Sequence, residues 1–149
     1  GRPATPVIHD EGYVFHLGRA EVLREGGDAT VIACGLMVAR ALEAAENLAK
    51  EGLECRVLNL ATLKPLDDEA ILRAARETGA LVTAEEHLAH GGLGSLVAGV
   101  VTRRCPVPVE MVALPDSYAQ SGKTEELLTK YGLTPQAIQE AVRRAVARK

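Results

Sequence analysis

Ala29-Thr30-Val31-Ile32-Ala33-Cys34-Gly35 decides the fold. The run is apolar and β-branched, carries no charge and stops at a glycine, the pattern of a strand buried on both faces. Strands of that kind belong to parallel sheets, whose neighbours are joined by helical crossovers. Directly after it, Met37, Val38, Ala41, Leu42, Ala45, Leu48 and Ala49 recur at spacings of three and four. Arg40, Glu43, Glu46 and Lys50 take the opposite side, which gives an amphipathic helix that Gly52 stops.

The same unit repeats outward from this stretch. Cys55 to Leu60 reads as a second buried strand, and a helix follows from Asp67, whose carboxylate caps it while Asp68 and Glu69 suit its positive end. Gly79 ends that helix. Ala80 to Ala84 predicts a third strand, Gly92 to about Arg103 a third helix, and Val107 to Leu114 a fourth strand after Pro106 and Pro108. A polar loop, Pro115 to Gly122, leads to helices over Glu125 to Tyr131 and from Thr134, with Pro135 at the first helical position. Towards the N-terminus, Leu17 to Glu25 predicts a short edge strand that turns at Gly26-Gly27-Asp28. Residues 1–17, interrupted by Pro3 and Pro6, read as a linker. The expected architecture is a three-layer α/β/α sandwich with right-handed crossovers.

Composition fits one such domain. The 149 residues are 47% hydrophobic and 25% charged, which excludes disorder as the default. Aromatics make up 3% with no Trp, so the interior is built from Ala, Val, Leu and Ile, and little surface remains for stacking on bases. A net charge of -3 with dispersed Lys and Arg argues against a nucleic-acid partner. No apolar run reaches the roughly 18 residues of a membrane span, and the start lacks a signal-peptide pattern, so the expected location is cytoplasmic. Cys34, Cys55 and Cys105 form no C-x-x-C pair and read as small core hydrophobes.

In open α/β sheets, ligands collect beyond the carboxyl ends of the strands. The densest set of functional groups there is Glu85-Glu86-His87-Leu88-Ala89-His90-Gly91-Gly92-Leu93-Gly94-Ser95. Two carboxylates beside two imidazoles allow acid/base or metal chemistry. The alternative is that Glu85 and Glu86 are held by loop backbone or an interface partner, since neighbouring side chains on a strand point to opposite faces. Gly91, Gly92, Gly94 and Ser95 open a helix after a strand, where amides and the helix dipole can hold an anion. The third glycine of G-x-G-x-x-G is replaced by Val97 and no P-loop Lys is present, so close packing of helix on sheet is the competing reading. Lys64 reads as solvated, and Pro115 to Gly122 with its Tyr118 as a loop suited to an interface.

At these segments the chain resembles the C-terminal domain of the transketolase family, with its relatives 1-deoxyxylulose-5-phosphate synthase and the 2-oxo-acid dehydrogenase β subunits. The carriers are Gly1-Arg2-Pro3, the run Ala29 to Ala45, Asn59 to Asp67, Val82 to His87 with Gly91 to Ser95, and Pro106-Val107-Pro108-Val109. The resemblance implies a five-stranded mixed sheet with its first strand antiparallel, residues 18–149 as that domain, and a missing pyrimidine-binding domain upstream. It implies two-carbon ketol transfer between sugar phosphates by an intact homodimer that uses thiamine pyrophosphate and a divalent cation. It further implies that this domain serves dimer assembly and the active-site rim, binds no cofactor and is inactive alone, and that Arg2 matches an arginine contacting the substrate phosphate. Outside the family, the alternative is a free-standing module that binds a nucleotide or other anion at Gly91 to Ser95.

Overall fold

Strand β2, Ala29–Ala33, is buried at every position and lies at the centre of the sheet. The structure, a computed structural model, describes residues 4–149. β2 pairs in parallel with β3 (Cys55–Asn59) on one side and β4 (Leu81–Leu88) on the other. β5 (Val109–Leu114) continues the parallel set beyond β4, and β1 (Glu21–Arg24) pairs antiparallel with β3. The order is β1-β3-β2-β4-β5. A five-stranded, mostly parallel sheet with one antiparallel edge strand is therefore the observed architecture.

Period-two alternation along the strands sorts the core into two layers. Ala29, Val31 and Ala33, with Val57, Val82 and Ala84, face helices α1 (Met37–Ala49) and α5 (Pro135–Val146). Ile32, Leu58 and Leu81 face helices α2 (Asp68–Thr78) and α3 (Leu93–Arg104). No aromatic side chain belongs to either set of buried core residues. Small alanines on α1 and α5, among them Ala41, Ala44, Ala45 and Ala141, instead let helix backbones approach the sheet closely.

The caps follow the sequence. Asp67 Oδ1 accepts from the Ala70 amide at 3.0 Å, and its Oδ2 accepts from the Ala20 amide at 2.8 Å, so one carboxylate caps α2 and fixes the approach to β1. Gly79 closes α2 in the left-handed conformation, and Thr134 caps α5 ahead of Pro135. Helix α4 (Thr124–Lys130) is short and ends before Gly132.

Three boundaries differ from the sequence reading. β1 is confined to four residues, because Gly18 and the Ala20 amide are tied to Thr62 and Asp67 rather than to a strand partner. β4 runs on to Leu88, four residues past the predicted end at Ala84. A register shift after Ala84 lets Leu88 pair with Leu114 while the Ala89 amide donates to the Leu114 carbonyl, which keeps the extension hydrogen-bonded. β5 begins at Val109 because the two prolines before it cannot donate to the ladder.

Candidate functional site

The extended β4 separates its two carboxylates. Leu81 lies in the α2/α3 layer and Val82 and Ala84 in the α1/α5 layer. Glu85, buried to 1% exposure, turns towards α3, and Glu86 is exposed. The two side chains thus leave opposite faces of β4, although both reach the hollow beyond the ends of β2 and β4.

Glu85 has a defined task. Its Oε2 accepts from the Leu93 amide at 2.7 Å and its Oε1 from the Gly94 amide at 2.8 Å. These are orphan amides of the first turn of α3, and the negative charge sits at the positive end of the helix dipole. Gly92 caps that helix without a side chain, and a Cβ there would strike Glu85 Oε2 and come within 2.7 Å of the Leu88 carbonyl oxygen. A Cβ on Gly94 would lie 2.7 Å from Met111 Sδ and 2.9 Å from Thr83 Oγ1. Gly92 and Gly94 therefore make room for close packing of helix on sheet, and the chain's own carboxylate fills the position an external anion would take at the Leu93 and Gly94 amides.

The remaining members brace the turn or face solvent. Ser95 Oγ accepts from the Gly91 amide at 3.0 Å and donates to the Ala89 carbonyl at 2.8 Å, closing the segment before α3. His87 is exposed with its Nδ1 3.1 Å from the Leu88 carbonyl, and exposed His90 lies 3.8 Å from Asp116. Among the described residues no three His, Cys, Asp or Glu side chains converge as metal ligands. Arg2 lies outside the described residues.

Two hollows flank Glu86. One, of about 210 Å³, lies beyond the ends of β2 and β4, between Cys34, Gly35, Leu63, Glu86, His87 and Gly91. Burial first, then the Glu85 and Glu86 carboxylates, push the Cys34 thiol up to about 11, so it stays protonated near neutrality and is no nucleophile. The other, of about 290 Å³, lies under the 115–123 loop between Glu86, Leu114, Leu127, Leu128, Tyr131 and Leu133. Lys64 is exposed, and Tyr118 at the tip of that loop is fully exposed. The groups that line these surfaces are apolar side chains with scattered polar ones among them.

Sequence reasoning missed the ionic braces that hold the outer helices. Glu110 on β5 receives Arg144 Nε at 2.9 Å and Arg148 Nη1 at 2.7 Å, and Arg40 of α1 meets Glu125 of α4 at 2.7 Å. The pairs are 34, 38 and 85 residues apart, and no local pattern marks them.

The geometry fits a known domain. A family model described as "Transketolase, C-terminal domain" matches residues 18–138. The chain belongs to the transketolase C-terminal domain family. One component of a 6-deoxy-6-sulfo-D-fructose transketolase from Clostridium sp. (strain MSTE9) is 48% identical over 99% of this chain and 46% of its own length. One component of an apulose-4-phosphate transketolase from Phocaeicola vulgatus is 40% identical over 93% of this chain and 44% of its own. The chain thus spans about half the length of these curated relatives. A solved structure described as a split-gene transketolase in an inactive β4 tetramer superposes with a TM-score of 0.96 at 45% identity, covering 100% of this chain and 49% of that one.

Thiamine pyrophosphate and its cation do not fit the described residues of this transketolase-family domain. No carboxylate set converges to hold the cation, and the glycine-flanked start of α3, where a diphosphate would be sought, is neutralised by Glu85.

Proposed function

We propose that this chain is the C-terminal domain of one component of a split, thiamine-pyrophosphate-dependent transketolase, which transfers a two-carbon ketol unit between sugars bearing an anionic end group. The observation that carries the reading is the 48% identity, along 99% of the chain, to a transketolase component. The names of the two relatives, a sulfonated and a phosphorylated ketose, share a tetrahedral oxyanion, and Arg2 is the residue assigned to hold it through its fork of donors. Cofactor and divalent cation belong to the other domains of the enzyme. Residues 18–149 supply a rigid platform for a cytoplasmic homodimeric assembly, with residues 1–17 as the linker and no catalytic residue of their own.

The rim facing the remaining domains is assigned to the ends of β2 and β4, where Glu86, His87 and Gly91 surround the smaller hollow, and to the 115–123 loop. Glu85, Gly92, Gly94 and Ser95 set the shape of that rim through the α3 cap and the turn before it.

The coding region upstream of residue 1 tests the reading. It is expected to encode a thiamine-enzyme pyrimidine-binding domain; a region encoding any other fold overturns the assignment.

A further inference from the structure

We propose that His9 and Glu21 form a proton-operated latch that holds the segment 4–17 across the edge strand β1. Glu21 Oε2 is buried and has no hydrogen-bond partner among the described residues, which is unusual for a carboxylate oxygen and calls for a physical reason. Among the described residues His9 Nε2 lies 3.6 Å from that oxygen, just beyond hydrogen-bond length.

His9 is held where a proton would matter. Its ring stacks on Tyr13 with centroids 3.7 Å apart and planes 15° from parallel. Asp10 closes the intervening turn, accepting from the Gly12 amide at 3.0 Å through Oδ1 and from the Tyr13 amide at 3.2 Å through its carbonyl. Ile8 and Leu23 both pack on the α1/α5 side of the core, which brings this turn alongside β1. The hollow between them, of about 470 Å³, is lined by Ile8, His9, Asp10, Tyr13, Glu21 and Leu23.

Protonation gives Nε2 a charged donor facing the orphaned oxygen. A charge-assisted bond draws the two atoms to roughly 2.8 Å, and the turn then closes on β1. With neutral imidazole the oxygen lacks that charged donor. The other titratable and charged groups beside the pair are Asp10 and Tyr13 on the turn, and His16 and Arg19 in the adjoining hollow. From β3 only the uncharged Asn59 stands opposite Glu21. His9 is the group that approaches Glu21 Oε2, and imidazole is the side chain whose charge changes between pH 5 and 8. Opening releases a segment whose Val14 and Phe15 side chains are already exposed.

Amide hydrogen exchange at Gly12 and Tyr13 tests the latch, with rates corrected for intrinsic exchange, in the 149-residue chain at pH 5.5 and pH 8. Protection is expected to be about threefold higher at pH 5.5, the scale of a partly exposed ion pair. It is expected to become independent of pH in both Glu21→Gln and His9→Gln, with circular dichroism confirming that each variant is folded. Equal protection at the two pH values in the unsubstituted chain overturns the proposal. A pH dependence that survives in either variant also overturns it, since it then does not come from this pair.

Discussion

The carboxylate of Glu85 occupies the space that a side chain at position 92 would need, and from there it bonds the two amides that open α3. A buried charge is tolerated because both oxygens are hydrogen-bonded and the helix dipole faces them. The glycine and the glutamate are therefore one device, split across seven residues of sequence.

Gly92→Ala is expected to destabilise the chain by about 3 kcal/mol, since the new methyl group must displace Glu85 or the Leu88 carbonyl. Glu85→Gln keeps one acceptor and loses the charge, at a cost of about 1–3 kcal/mol. In the double variant the two costs add to less than their sum, because each substitution already breaks the same cap. Urea unfolding of the three variants measures this; full additivity contradicts the shared role.

Thr83 presents the opposite case. Its Oγ1 is buried and without a partner among the described residues, beneath Gly94 and Met111. Thr83→Val removes the unsatisfied hydroxyl with little change in volume, so stability is expected to hold or to rise by up to about 1 kcal/mol. A loss larger than that in thermal unfolding shows that the hydroxyl has a partner in solution.

Glu110 gives a pH signature. Burial opposes its ionisation, but the hydrogen bonds from Arg144 and Arg148 outweigh that effect and hold the carboxyl below its ordinary range. A depressed folded-state value means that the stabilisation is present above the unfolded pKa of about 4.3 and is lost as pH falls through the folded value. Glu110→Gln should therefore be less stable than the unsubstituted chain at pH 7, by under about 1 kcal/mol because both arginine partners are more than half exposed. The gap should close as the pH is lowered below about 4, and a gap that widens on acidification refutes the ion-pair account.

The strand-helix alternation was readable because Ala29 to Ala33 is buried at every position and Cys55 to Asn59 at all but Arg56, and short, largely apolar runs between helical repeats leave little choice of structure. Asp67 and Thr134 were readable as caps because capping depends on a neighbour three residues on. The continuation of β4 through Glu85 to Leu88 was not, since its pairing rests on Leu114, distant in sequence. The same long-range pairing decides that Glu85 turns inward and Glu86 outward. The glycine-rich turn was legible as a helix start, and both an external anion and close packing were compatible with it. Only the spatial position of Glu85 distinguishes them.

The role proposed for Arg2 is tested on the substrate. In the complete enzyme, Arg2→Ala is expected to raise the apparent KM for an anionic ketose by at least about tenfold, the scale of a lost charge-assisted contact. The affinity for thiamine pyrophosphate should stay unchanged. Kinetics unaltered by the substitution remove Arg2 from the substrate site.

The division of labour between this domain and the rest of the enzyme is tested most directly by two-carbon transfer assayed with thiamine pyrophosphate, once for the 149-residue chain and once for the complete enzyme assembly that contains it. The account predicts transfer that depends on the cofactor in the assembly, and neither turnover nor calorimetric binding of the cofactor by the chain alone. Turnover or tight cofactor binding by the isolated chain, or an assembly that transfers no two-carbon unit, would contradict it.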